Sequence, residues 1–304
     1  MNSRSLLQHL IITMLAIFLA GEAAWAGSGT HAADFLNIPA DSRGAALGNS
    51  CVSSSAGAGA LFYNPAALAA DGFGEMSFSH AELMQDLRLD NISLALPLKN
   101  GGLGIGITYL GYGDIQGYDV AGVATGDLSA YSMQVSIGYS QRLGEALSAG
   151  IAVKPVIEKL ADYNANTVTF DAGLLAQFGR FSVGAQYANI GGSLKYLDES
   201  ISLPATIRLG ASFRTIGFST FSMAAAKTEG ESTVLGAGLE YQYSHMLALR
   251  AGYNGALESS DNTADGLSLG AGLHLGQMGF DYSYRPTASQ EGVHQITASL
   301  RFGR

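Results

Sequence analysis

AYSMQVSIGY, residues 130–139, is the stretch on which the fold turns. Side chains along an extended strand alternate between its two faces. Tyr131, Met133, Val135, Ile137 and Tyr139 therefore share one face, and Ala130, Ser132, Gln134, Ser136 and Gly138 share the other. The apolar face has tyrosine at both ends. A soluble sandwich gains nothing from amphipathic rings in those places, whereas a membrane barrel uses them in the girdles at its two water interfaces.

The same unit recurs in both directions. Leu103, Ile105, Ile107 and Tyr109 alternate with Gly102, Gly104, Gly106 and Thr108. Downstream, Thr233, Leu235, Ala237, Leu239, Tyr241 and Tyr243 alternate with polar or small residues, as do Leu267, Leu269, Ala271, Leu273 and Leu275. Fourteen segments of this kind can be placed, centred near residues 78, 94, 107, 135, 152, 172, 184, 208, 222, 238, 250, 270, 281 and 297. Six connections are tight: Lys99–Gly102, Arg142–Glu145, Gly179-Arg180, Thr215–Gly217, Ser244–Met246 and Gly276-Gln277. Seven longer ones lie near 83–89, 112–127, 159–165, 190–202, 227–231, 256–265 and 285–291. Bacterial outer-membrane barrels have even strand numbers, with short periplasmic turns opposite longer external loops. The expected fold is all-β, a 14-stranded antiparallel transmembrane barrel over residues 73–304. In its last strand His294, Ile296, Ala298, Leu300 and Phe302 share a face, and Phe302 is third from the end. A near-terminal aromatic there resembles the signal read by the barrel-assembly machinery, which is an expected partner during biogenesis.

Composition agrees. The 304-residue chain is 47% hydrophobic yet only 13% charged, against ~25% in soluble domains. No apolar run after residue 30 reaches the ~18–20 residues of a membrane helix, so the apolar residues are spread over strands facing outer-membrane lipid. The 40 glycines suit turns and crowded barrel interiors. A net charge of −9 argues against nucleic acid as a partner. Residues 1–26 read as a signal peptide: Arg4 supplies the positive region, Leu10–Ala20 the apolar core and Ala24-Trp25-Ala26 the cleavage site. The lone Cys51 is expected to be a buried small hydrophobe.

Between leader and barrel lies AADFLNIPADSRGAALGNSCVSSSAGAGALFYNPAALAA, residues 32–70. It follows neither period and is crowded with small residues. Asn64 is a good N-cap and Pro65 a good first helical residue, so a short helical turn is expected there. A compact segment ahead of a barrel has its mouth as a destination, and residues 27–72 are read as a hatch or plug.

This run resembles the N-terminal signature of the PorV/PorQ-type outer-membrane proteins, which open A-x-F-L-x-I-x-x-x-x-R-x-x-A-x-G and close NPAxL. The matching positions are Phe35, Leu36, Ile38, Arg43, Ala46, Gly48, Asn64, Pro65, Ala66 and Leu68. LPATIRLG, residues 203–210, is similar to the family's mid-barrel LPxxxRxG. More distantly the family is similar to FadL-type long-chain fatty-acid transporters, which implies a fourteen-stranded barrel with an N-terminal hatch.

If apolar faces meet lipid, the opposite faces supply the lumen. Its charged candidates are Lys154, Glu158, Asp171, Arg208, Arg214, Glu240, Arg250, Asp281, Arg285 and Arg301. Two readings stand: these charges pair across the lumen and hold the plug, or they form a site for an anionic head group. Pro155, inside a strand, implies a bulge or interruption, and more sharply a gap opening sideways into the membrane. Pro204 falls at the start of a strand over Leu203–Phe213. The histidines show no metal-ligand spacing, and no Ser or Asp can be tied to the lumen-facing His274. No enzyme, cofactor or metal is expected. Three functions remain open: a conduit for hydrophobic or amphipathic small molecules, a PorV-like accessory of type IX secretion that receives exported proteins, and a structural barrel without cargo.

Overall fold

The computed structural model describes residues 31–84, 86–113, 115–244, 246–257, 266–287 and 292–303. The signal peptide, His9, His245 and most of the acidic stretch 258–266 lie outside the described residues. The first half forms β1 (Gly74–Glu82), β2 (Arg88–Leu98), β3 (Gly101–Gly111), β4 (Ile115–Tyr118), β5 (Ala124–Leu128), β6 (Ala130–Arg142), β7 (Leu147–Leu160), β8 (Tyr163–Phe178) and β9 (Phe181–Ile190). The second half forms β10 (Ser193–Tyr196), β11 (Glu199–Ser202), β12 (Thr206–Arg214), β13 (Ser219–Thr228), β14 (Val234–Gln242), β15 (Leu247–Ala256), β16 (Leu267–Leu275), β17 (Met278–Arg285) and β18 (Val293–Phe302).

Fourteen of these close into one antiparallel barrel, each paired to its neighbours and β1 to β18. Every expected strand centre falls inside one of them. Closure removes the sheet edges that would otherwise present unpaired backbone to lipid. Ile105, Ile151, Met223, Leu269 and Ile296 point outward and are roughly half exposed or more. Polar Ser93, Gln134, Ser136, Thr169 and Gln186 point inward and are buried. Aromatic rings ring both ends. Phe181 and Phe213 pack at 4.6 Å between centroids near the short turns, and Tyr109 and Tyr131 stack at 5.6 Å near the long loops.

Four expectations need correction. The connection expected at 159–165 is only the two residues Ala161-Asp162, because β7 and β8 stay paired to Leu160↔Tyr163. The stretches expected as loops at 112–127 and 190–202 contain small hairpins, β4–β5 and β10–β11. The strand expected over Leu203–Phe213 begins at Thr206, so Pro204 precedes β12 and costs it no ladder bond. Pro155 does not make a bulge. The β6–β7 register is the same on both sides of it, but the pairing passes from Gln134↔Val156 to Ile137↔Val153 without the two pairs between. A proline with no N–H to donate leaves this interruption. The bulge lies two strands away, where β8–β9 shifts between Phe170↔Ile190 and Ala172↔Tyr187. Asn189, at φ 57, takes up that extra residue.

Candidate functional site

The N-terminal segment lies inside this wall. It enters at the long-loop end, where Ala32 N–H donates to Ser202 O at 3.0 Å, and leaves at the short-turn end. Arg142 Nε donates there to Ala69 O at 2.7 Å. Between these points it forms only short helical turns. Asp41 caps the turn Ser42–Ala46, accepting from Gly44 N, and Asn64 caps Pro65–Ala69, accepting from Ala66 N. The expected Asn64-Pro65-Ala66 turn therefore forms, and Asn64 Nδ2 also donates to Val52 O and Leu174 O, both at 2.9 Å. Inward glycines let the segment's backbone touch the wall. A Cβ on Gly252 would stand 2.3 Å from Gly48 N, and one on Gly150 2.4 Å from Ala66 N. Gly48 itself has φ +61, which an L side chain adopts only under strain.

Arg43 joins segment to barrel. Its Nε and Nη2 donate to the two oxygens of Glu240 at 2.9 and 3.2 Å, and Nη1 donates to Ser54 O at 3.0 Å. Glu240 also accepts from Arg250 Nε at 2.7 Å, and Arg250 Nη1 donates to Asp281 at 2.5 Å. Two cations and two carboxylates thus form one chain, from residues the sequence singled out separately. Beside it, burial holds the Asp41 carboxyl above the usual range, against the Gly44 N–H and the charge of Arg43. Burial likewise raises the Cys51 thiol to about 11.

Above this chain lies a small amphipathic compartment. Phe35, Leu36, Ile38 and Phe62 face Thr108, Gln134, Lys154, Asp171 and Arg208 around a cavity of about 30 Å³. Lys154 Nζ pairs with Asp171 Oδ1 at 2.5 Å and donates to Asn189 Oδ1, while Asn189 N–H donates to Asp171 at 2.8 Å. The bulge at Asn189 and the interruption at Pro155 therefore border the same compartment. Arg208 is held by neutral partners, Gln186 Oε1 at 3.1 Å and Asn37 Oδ1 at 2.8 Å. Higher still, Phe35 joins Ala81, Leu89, Leu110, Val156, Leu194 and Leu203 in a continuous apolar cluster across the mouth. Hairpin β10–β11 supplies Leu194 to it. Tyr196 Oη in that hairpin donates to Glu158 at 2.5 Å, and Ser132 Oγ donates to the other Glu158 oxygen at 2.7 Å.

The remaining sequence candidates stand apart from these groups. Arg301 pairs with Glu75 at 2.8 Å at the short-turn end, over the Phe73 ring. Arg214 is exposed at the end of β12, and Arg285 sits half-buried at the long-loop end of β17. Sequence reasoning missed Asn37, Phe62, Gln186 and Asn189. Phe62 lies next to the matched NPA motif, but periodicity says nothing about an irregular segment. Nor does it distinguish a lumen glutamine that binds from one that merely fills space.

Scanned against protein-family models and against curated proteins, the chain matches none. Among solved structures it is similar to the toluene transporter TodX of Pseudomonas putida. The identity is 16%, with 92% of this chain and 98% of that one covered and a TM-score of 0.61. It is also similar to a FadL homologue of Pseudomonas aeruginosa, at 12% identity, 92% and 99% coverage and a TM-score of 0.58. The monoaromatic hydrocarbon channel CymD matches at 15% identity, 87% and 97% coverage and a TM-score of 0.56. At these identities the likeness establishes the fold: this chain is a FadL-like fourteen-stranded barrel.

Proposed function

We propose that the protein sits in the outer membrane as a channel, not an enzyme, for hydrophobic or amphipathic small molecules, with the N-terminal segment as its hatch. One observation carries this reading: an apolar cluster at the mouth runs down to a compartment that adds Lys154 and Arg208 to aromatic walls. Such a gradient takes an apolar body first and a polar or anionic end second. Both ladder irregularities border the compartment, which favours release sideways through the wall near Pro155 over passage straight down. The fold shared with a toluene transporter and a hydrocarbon channel points the same way.

The cavity of about 30 Å³ holds only a water or two. Cargo therefore enters by displacing Phe35–Ile38 or Phe62 rather than by filling a ready pocket. The test is mass spectrometry on tagged protein gently extracted from its native membrane. A retained apolar small molecule, lost in a Phe62→Trp variant that fills the compartment, is the expected result. Exported proteins recovered near stoichiometry would replace this reading with a secretion accessory, and a barrel carrying neither would leave a structural role.

A further inference from the structure

We propose a divalent-cation site of the zinc type at the outer mouth, formed by His31, Asp34 and Glu231. The three side chains come from the start of the hatch segment and from the loop between β13 and β14. One ligand atom from each lies within 4.8 Å of the other two. His31 Nδ1 is 3.6 Å from Glu231 Oε1. Metal–ligand bonds of 2.0–2.2 Å in a tetrahedron set donor separations of about 3.4 Å. The His31–Glu231 pair is thus already near coordinating distance, and an Asp34 carboxylate oxygen lies within 4.8 Å of both.

The donor chemistry selects the ion. Calcium and magnesium prefer all-oxygen shells of six or more ligands. One imidazole with two carboxylates suits zinc and its neighbours in the first transition row, and leaves a coordination position for water. Two carboxylates also balance the charge of the ion. The His31 side chain is 7% exposed while Glu231 is 35% exposed and Asp34 is open to solvent, so an ion arriving from outside meets the acids first. Local backbone holds the ligands in place. Ala32 N–H is bonded to Ser202 O at 3.0 Å, and Glu231 N–H to Thr228 O at 3.2 Å. A bound ion would clamp the entry of the hatch segment to the barrel rim.

The experiment uses the full mature chain in detergent, prepared without a histidine tag and titrated with Co²⁺ as a spectroscopic stand-in. Expected is one saturable equivalent with visible d–d bands, displaced by Zn²⁺. His31→Ala and Glu231→Gln should each weaken it at least tenfold. His80→Ala, which breaks a His–Asp pair elsewhere on the wall, should leave the titration unchanged. Heat-modifiable gel mobility confirms that each variant is folded. Lack of saturable binding up to millimolar Co²⁺ would reduce the cluster to an ion pair. Binding that survives both substitutions would place the ion elsewhere; either result overturns the proposal.

Discussion

Glu240 fastens the N-terminal segment to the wall, because its carboxylate accepts from Arg43 of the segment and from the wall's own Arg250. Breaking a buried ion pair from one side costs about 3–5 kcal/mol. Here Glu240→Gln leaves an amide that still accepts one hydrogen bond, and the pair is partly exposed at 26% and 15%. A penalty of about 2 kcal/mol is therefore expected, and that multiplies the open population roughly thirtyfold. Cys51 reports it without an added label site. Its thiol is 1% exposed, and a pKa of about 11 leaves about 0.1% as reactive thiolate at pH 8. Wild-type protein should resist maleimide at pH 8, and E240Q should label about thirty times faster while the barrel keeps its heat-modifiable mobility. Equal rates would mean that Arg43 and Glu240 do not hold the segment. Gly252→Ala tests the same closure sterically. Its Cβ would meet Gly48 backbone, which has nowhere to go, so labelling should rise again.

At the scale of elements, the strands were legible and the departures from them were not. Alternation locates all fourteen barrel strands because lipid and lumen impose opposite chemistry on successive residues. In β10–β11 the same signal is too short to read: Leu194 is buried between exposed Ser193 and Lys195, but each strand has four residues and Gly191-Gly192 interrupts the approach. Pro155 was a visible irregularity, yet sequence could not say whether it shifts the register. The structure answers with a skipped pair of ladder positions and puts the shift at Asn189, whose αL conformation has no sequence mark beyond asparagine's tolerance for it. If cargo leaves through this part of the wall, Pro155→Val should close the interruption by restoring a backbone donor and slow uptake of an apolar tracer severalfold. Unchanged uptake would move the exit elsewhere. The hairpin gives a separate prediction. Tyr196→Phe removes the hydrogen bond to Glu158, worth about 1.5–3 kcal/mol for a charged acceptor, and should speed hydrogen exchange across residues 193–202 while leaving β7 protected.

For the whole molecule, the question is whether the hatch segment ever leaves the lumen as a body. Wall side chains bind it along its length: Thr297 to Ser42 N, Gln295 to Pro39 O, Ser268 to Ala46 O, Asn254 to Gly48 O, Gln186 to Phe62 O. At about 1 kcal/mol each, before the Arg43 bridge is counted, complete ejection is rare, so the proposed passage of cargo runs on local displacement near Phe35 and Phe62. The sequence showed that a compact segment precedes the barrel; its interlock with glycines and serines spread over the wall became visible only with the strands in register. This predicts an asymmetry between small and large perturbations. In planar bilayers the intact protein should pass almost no ion current, because the segment fills the lumen from the mouth to Ala69. Deleting Phe35–Leu68 should open a steady conductance, since it removes the packing that the inward glycines were shaped to receive. E240Q should give only brief openings, as it frees one fastening and leaves the others. A deletion variant that folds and inserts but stays silent would show that the wall closes without the segment, and would end the hatch reading while leaving the barrel fold untouched.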